Sequence, residues 1–382
     1  MSKSIPLSEP YFYGNEKKYV ADAIESTWIS GIGEYVDKFE NHISQITGAK
    51  YVVCCNSGTS ALHLALAATS VKENDEVIVP SLTFISTINS ILYCNAHPVF
   101  FDTDEYFNID IKSVIQFLEN NCEYKNGATY NLKSGRRIAA IIIVHVWGNA
   151  CDFQLLKNIC EDRNIKIIED AAESLGTTFK KEIFNGNHTG AVGDVGCFSF
   201  NGNKIITTGG GGAIVTSSAE IAEKVRYLST QAKDDPFNYT HNEMGFNYRL
   251  SNINAAFGYA QLENLDFALD KKREINNLYK QAFSGNPDFL ISSSPNYAEN
   301  NHWLNILRIV NGDKKSILNQ LKDNKIEARP IWKLSHEQLY LKNYEAHEIV
   351  NAIKQVKECI CLPSSLSLEK ADIELICDVI NG

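Results

Sequence analysis

The chain has 382 residues, 44% of them hydrophobic, and a formal net charge of −10 with its lysines and arginines scattered. That supplies one large core plus a smaller unit, and it argues against a nucleic-acid or anionic-membrane partner. The start, MSKSIPLSEPYFYGNE, lacks a long apolar run, and the longest apolar stretch, Ile138 to Trp147, is about half of what a bilayer span needs. Ten cysteines lie mostly inside apolar runs with no Cys-x-x-Cys pair, a pattern that predicts free buried thiols in a reducing cytoplasm and no metal site.

After an extended, proline-marked start, apolar spacing predicts a helix over Glu16 to Trp28, a break at Ile29-Ser30-Gly31-Ile32-Gly33, and a helix over Glu34 to Ile46. From Tyr51 short apolar runs alternate with helical patterns. This is the mark of an α/β fold with a mainly parallel sheet covered on both faces. Strands are predicted at Tyr51 to Cys54, Glu76 to Val79, Pro98 to Phe101, Ala139 to Val144, Lys166 to Ile168, Gly196 to Phe200 and Ala213 to Thr216. Ligands of such sheets gather at the carboxyl ends of the strands.

The first such end is Asn56-Ser57-Gly58-Thr59-Ser60, before a helix over Ala61 to Ala68. Hydroxyls and free N–H groups there suit a phosphate, although taken alone they are explained more simply by a plain serine cap. The second end brings Phe84, either a core residue or a ring that stacks on a planar ligand. Asn121 to Arg137 reads as a polar surface loop. The strand after it ends at His145, in a position typical of a hydrogen-bonded structural histidine. Next, Ile165-Lys166-Ile167-Ile168 runs into Glu169-Asp170, and Asp170 with Glu173 fits either a helix cap or an acid that holds a protonated pyridine nitrogen.

An apolar strand then delivers Asn201-Gly202-Asn203-Lys204, four consecutive glycines, Gly209 to Gly212, and another strand. Lys204 is either a solvated turn lysine or a partly desolvated amine able to form a Schiff base. Beyond it come a helix over Ala219 to Leu228, a polar loop over Gln231 to Asn242, and a long helical stretch over Asn252 to Gln281. The remainder reads as a small α+β unit with strands near Asn305 to Val310 and Glu327 to Pro330 and helices near Lys314 to Lys322 and Glu345 to Lys357. Two domains are expected, residues 1–250 and 251–382.

With the Ser57-Gly58-Thr59 cradle, Phe84, Asp170, Ser199 and Lys204 in this order, the sequence strongly resembles the sugar-nucleotide aminotransferases of the DegT/DnrJ/EryC1/StrS family. The likeness runs through ESTWISGIGEYVDKFE, NSGTSALHLAL, EDAAESLG, SFNGNKIITTGGGG, GFNYRLSNINAAFG, ARPIW and CLPSS. The resemblance implies a type I, aspartate-aminotransferase-like α/β fold with pyridoxal 5'-phosphate as cofactor and pyridoxamine 5'-phosphate as its intermediate form. It implies that Lys204 bonds the cofactor aldehyde, Asp170 pairs with its pyridine nitrogen, and Phe84 covers its ring. Gly58, Thr59 and Ser199 would receive the phosphate, with Glu173 near the phenolic oxygen. The asparagine matching Asn247 reaches the cofactor phosphate of the partner subunit in this family, so a homodimer with shared active sites is implied. Trp28, Ile29, Ser30 and Gly31, together with Arg329, Pro330, Ile331 and Trp332, fall where relatives touch the sugar nucleotide.

Many relatives have Gly-Glu-Gly-Gly where this chain has Gly209 to Gly212, so any role of that glutamate is absent. Sugar dehydratases of the family carry histidine at the lysine position, and Lys204 favours transamination over that branch. Within the family the likeness points to the legionaminic-acid and bacillosamine type. Those enzymes transfer an amine from glutamate to C4 of UDP-2-acetamido-2,6-dideoxy-4-hexulose by a two-half ping-pong reaction. Perosamine synthases, which use GDP-4-keto-6-deoxymannose, are the nearest alternative, and a non-catalytic pyridoxal-phosphate-binding regulatory protein is the alternative from another class. In the enzymatic readings Lys204 also moves the proton, its pKa lowered toward working pH by burial and the cofactor.

Overall fold

The computed structural model describes residues 4–180 and 184–382. Among these, the large sheet is built on β1 Tyr51–Cys55, β2 Glu76–Pro80, β3 His97–Phe101, β4 Arg137–Val144, β5 Lys166–Asp170, β6 Val195–Ser199 and β7 Gly212–Thr216. Their order in space is β1-β7-β6-β5-β4-β2-β3. Pairs from β6 across to β3 are parallel, and β7 runs antiparallel to both β6 and β1. The parallel strands read as unbroken apolar runs because both faces are covered. Along β4, Ala140, Ile142 and Val144 enter one core layer while Ile141 and Ile143 enter the other, as a side-chain period of two requires. Nine of the ten free cysteines are buried and Cys94 is half-buried.

The C-terminal part forms a second, antiparallel sheet from Phe289–Ile291, Asn305–Ile309, Cys359–Leu362 and Arg329–Pro330. Ile275 and Tyr279 of the helix Leu265–Ala282 and Ile373 and Ile376 of Lys370–Asn381 share its core with Leu307 and Ile360. Its polypeptide is not confined to one side. Ile5 bridges Ile326, and Ala346–His347 adds a parallel strand beside β3.

Several sequence expectations are corrected. Asn121 to Arg137 is not a plain loop, since Cys122–Lys125 and Ala128–Asn131 pair as a hairpin that continues onto β4. Its two-residue turn is Asn126-Gly127, with φ of 52° and 78°, the backbone that an Asn-Gly hairpin turn requires. The stretch Asn252 to Gln281 breaks into Asn252–Leu262 and Leu265–Ala282, with the carbonyl of Asn264 at the break accepting the Tyr13 hydroxyl at 3.1 Å. The helix expected from Glu345 starts only at Asn351, because Ala346–His347 is drawn into the large sheet. There Asp102 accepts the N–H groups of Val350, Asn351 and Ala352 at 2.8, 2.7 and 2.8 Å, satisfying donors that a helix start leaves free. The first helix closes at Glu25, and Thr27 beyond it takes a φ of 64°.

The strand end at Glu169 is locked from three sides. Its carboxylate accepts the Gly190, Val192 and Gly193 N–H groups at 2.7, 2.7 and 2.6 Å and faces His145 Nε2 at 2.8 Å. Since His145 Nδ1 accepts from Cys151 N–H at 3.1 Å, Nε2 carries the proton. Burial pushes the Glu169 pKa up, but these bonds outweigh it and hold the group below its usual 4.5. Its contribution is therefore present above that value and lost as pH falls beneath it. Glu169→Ala is expected to cost roughly 3–5 kcal/mol, measured by urea unfolding at neutral pH, with the gap to the parent closing in acid.

Candidate active site

Successive residues of a strand face opposite sides, so Asp170, next to Glu169, turns the other way. It lines a cavity of about 340 Å³ at the carboxyl ends of the strands. Thr87 Oγ1 donates to its Oδ2 at 2.7 Å, the Thr83 hydroxyl lies 3.0 Å behind Thr87, and Ala172 N–H donates to Oδ1 at 3.2 Å. Burial raises the Asp170 pKa, and these bonds with the Lys204 charge offset only part of the rise. A buried carboxylate in this condition is short of a cation.

Lys204 enters the same cavity from the loop after β6. Its Nζ lies 3.2 Å from Glu173 Oε1 and 3.9 Å from the centre of the Trp303 ring. The second Glu173 oxygen accepts Trp147 N–H at 2.8 Å. Burial raises the Glu173 pKa and the Lys204 charge counteracts part of that. The side chains of this pair are only 13% and 6% exposed, which places Lys204 far from a solvated turn lysine.

The opposite wall is backbone. The helix after β1 begins at Gly58, with the Ser57 side chain accepting Ser60 N–H at 3.0 Å. A Cβ on Gly58 would stand 2.7 Å from the Ser199 Cβ, and one on Gly212 would stand 2.5 Å from the Ser57 carbonyl oxygen. Only glycine permits these approaches, and they bring the helix N-terminus, with its free N–H groups, against the end of β6. Thr59 and Ser199 add hydroxyls to the same cavity. At its open side stand Phe84, 52% exposed, and Trp332, their ring centres 6.0 Å apart.

Gly58, Thr59, Phe84, Asp170, Glu173, Ser199, Lys204 and Trp332 are thus brought together. Asn247 is exposed and stands outside the cavity. Trp28, Ile29 and Ser30 are exposed and Gly31 half-buried, also outside it, and the Asn252 amide holds the Trp28 carbonyl at 2.7 Å. Arg329 and Pro330 are exposed, Ile331 is buried, and Arg329 pairs with Glu327 at 2.6 Å. Sequence reading misses Trp303 and the Thr83–Thr87 pair. For the threonines the signal is there: hydroxyls four residues apart, starting beside Phe84 at a strand end.

A planar phosphorylated aldehyde with a protonatable ring nitrogen fits this donor set. Its phosphate matches the Gly58 cradle, its aldehyde the Lys204 amine, and its ring cation the under-compensated Asp170 carboxylate.

Comparison with known proteins agrees with that chemistry. The profile of the DegT/DnrJ/EryC1/StrS aminotransferase family matches residues 11–381. EpsN of Bacillus subtilis (strain 168), named as a pyridoxal phosphate-dependent aminotransferase, is 38% identical over 388 aligned residues, covering 100% of this chain and 96% of EpsN. GDP-perosamine synthase of Escherichia coli O157:H7 is 35% identical over 99% of this chain and 98% of its own length. Among solved structures, Helicobacter pylori PseC, an aminotransferase involved in the biosynthesis of pseudoaminic acid, superposes with a TM-score of 0.88 at 25% identity, covering 99% of this chain and 98% of PseC.

Proposed function

Because the chain belongs to the DegT/DnrJ/EryC1/StrS aminotransferase family, we propose that it transfers the amine of glutamate to the C4 ketone of a nucleotide-linked 4-keto-6-deoxy sugar. The protein is a sugar-nucleotide aminotransferase that uses pyridoxal phosphate. In our reading the sugar is UDP-2-acetamido-2,6-dideoxy-4-hexulose, as the SFNGNKIITTGGGG motif suggests, and the work is cytoplasmic amino-sugar synthesis for surface glycans. The 35% identity to a GDP-perosamine synthase over 99% of this chain favours a second reading, with GDP-4-keto-6-deoxymannose as acceptor.

One observation carries the proposal: the Lys204 amine, the Asp170 carboxylate and the Gly58 cradle line a single cavity. Pyridoxal phosphate, when bound, supplies an electron sink for the amine-bearing carbon. With that group bound, Lys204 Nζ would carry the proton from the amine-bearing carbon to the cofactor in the first half-reaction and from the cofactor to the sugar C4 in the second. Glu173 holds Nζ at the cavity wall, and Asp170 keeps a ring nitrogen protonated. Phe84 and Trp332 limit water on the open side. Residues 1–250 carry the cofactor in this reading and residues 251–382 complete the pocket. We further propose a homodimer in which Asn247 and the segment Trp28 to Gly31 serve the partner's cavity, a reading supported by the exposure of Asn247, Trp28, Ile29 and Ser30 outside their own.

The test is the absorbance of cofactor-loaded protein. Glutamate is expected to remove the band of the lysine-bound cofactor, and the UDP sugar to restore it. Restoration by the GDP sugar alone would move the assignment to the second reading, and a band indifferent to glutamate would sink the donor assignment.

A further inference from the structure

The two groups that flank the Lys204 amine, Glu173 and Trp303, are far apart in sequence and held by one side chain. Asn301 is 1% exposed. Its amide Nδ2 donates to the carbonyl of Glu173 at 2.8 Å and to that of Leu175 at 2.9 Å, while its Oδ1 accepts Trp303 N–H at 2.9 Å. Its own N–H donates to Thr177 Oγ1 at 3.0 Å. Both amide hydrogens, the side-chain oxygen and the backbone N–H of Asn301 are thus engaged by the turn after β5 and by Trp303.

Trp303 is then fixed at two further points. Its carbonyl accepts Lys272 Nζ at 2.8 Å, and its Nε1 donates at 2.6 Å to the carbonyl of Asn203, the residue before Lys204. The ring therefore has little freedom beneath Nζ. An amine lying between a carboxylate and a π-face keeps one geometry only as long as both stay put.

We infer that Asn301 is a positioning residue for the Lys204 amine, acting through Glu173 and Trp303 and tying the approach to the second sheet to the placement of the reactive nitrogen. This inference rests on the reading of Lys204 as the cofactor-binding lysine.

The test follows the attachment of pyridoxal phosphate to Lys204 in the full-length protein. The amine condenses with the aldehyde, one water leaves, and borohydride delivers hydride to the imine carbon so that peptide mapping can count the product. Rates are taken across pH for the parent, Asn301→Ala and Asn276→Ala. The last removes a buried bond of 2.8 Å to Asn305 without reaching Lys204. The charged groups facing Nζ are Glu173 and Asp170.

Loosening Glu173 and Trp303 is expected to lower the high-pH plateau about 10- to 100-fold, with Asn276→Ala matching the parent. A parent-like profile for Asn301→Ala, or an equal change in Asn276→Ala, overturns the inference. Should Asn301→Ala not fold, Trp303→Phe keeps a ring and loses the bond to Asn203. It is expected to lower the plateau in the same direction, and an unchanged plateau overturns the inference. A parent that never attaches cofactor at Lys204 overturns the underlying site reading instead.

Discussion

Lys204→Arg is expected to abolish amine transfer, lowering single-turnover rates by about 10⁴-fold or more, while the unfolding midpoint of the cofactor-free protein stays close to the parent's. The argument rests on separating charge from nucleophilicity. Arginine still offers a cation to Glu173, 3.2 Å from Nζ, and to the Trp303 ring at 3.9 Å. It does not release a proton in a protein and does not form the Schiff base that a lysine forms. Lys204→Ala loses the same activity but leaves Glu173 without its cation. Burial already raises the pKa of that carboxyl, so it answers by taking up a proton, and its stability cost is smaller than that of a stranded charge. Retention of transfer within tenfold in Lys204→Arg would assign the amine to another residue.

Much of this arrangement is legible in the linear sequence, and the reason is local. The parallel strands stand out because burial on both faces makes them short, unbroken apolar runs, RIAAIIIV being the clearest. Lys204 and Asp170 stand out because each is a charge placed where such a run ends. The hairpin at Cys122–Lys125 and Ala128–Asn131 is less visible, since three of its first four residues are exposed and carry little apolar pattern. The late start at Asn351 is invisible locally, because Asp102, which receives that helix start, lies about 250 positions away.

The same distance hides the support of the site. Thr87 and Asp170 are 83 positions apart, and Asn301 and Glu173 are 128 apart. No period or spacing encodes a contact that only the closed sheet creates. Residues carrying reactive groups declare themselves by type and place, whereas those that aim them are ordinary asparagines and threonines until the fold assembles.

Asp170→Asn is expected to lower amine transfer by about 10³-fold while leaving the cofactor-free protein within about 1 kcal/mol of the parent at neutral pH. Burial raises the Asp170 pKa above its ordinary 3.8, so the unfolded chain loses this proton at lower pH than the folded one. Between the ordinary and the raised value the parent's stability therefore falls as pH rises. An amide has no such loss, which offsets its one defect, that a single oxygen cannot accept both Thr87 Oγ1 and Ala172 N–H. Below the ordinary value the offset disappears and the variant becomes the less stable protein. Urea unfolding on either side of that value, with single-turnover rates at neutral pH, reads both effects. Glu169, one residue earlier, predicts the reverse pattern, stability most dependent on its carboxylate at neutral pH and least in acid. If Asp170→Asn instead cost several kcal/mol at neutral pH with transfer intact, Asp170 would be a structural carboxylate like its neighbour. The opposite signs of the two pH dependences are what separate a charge that holds the fold from one that waits for a ligand.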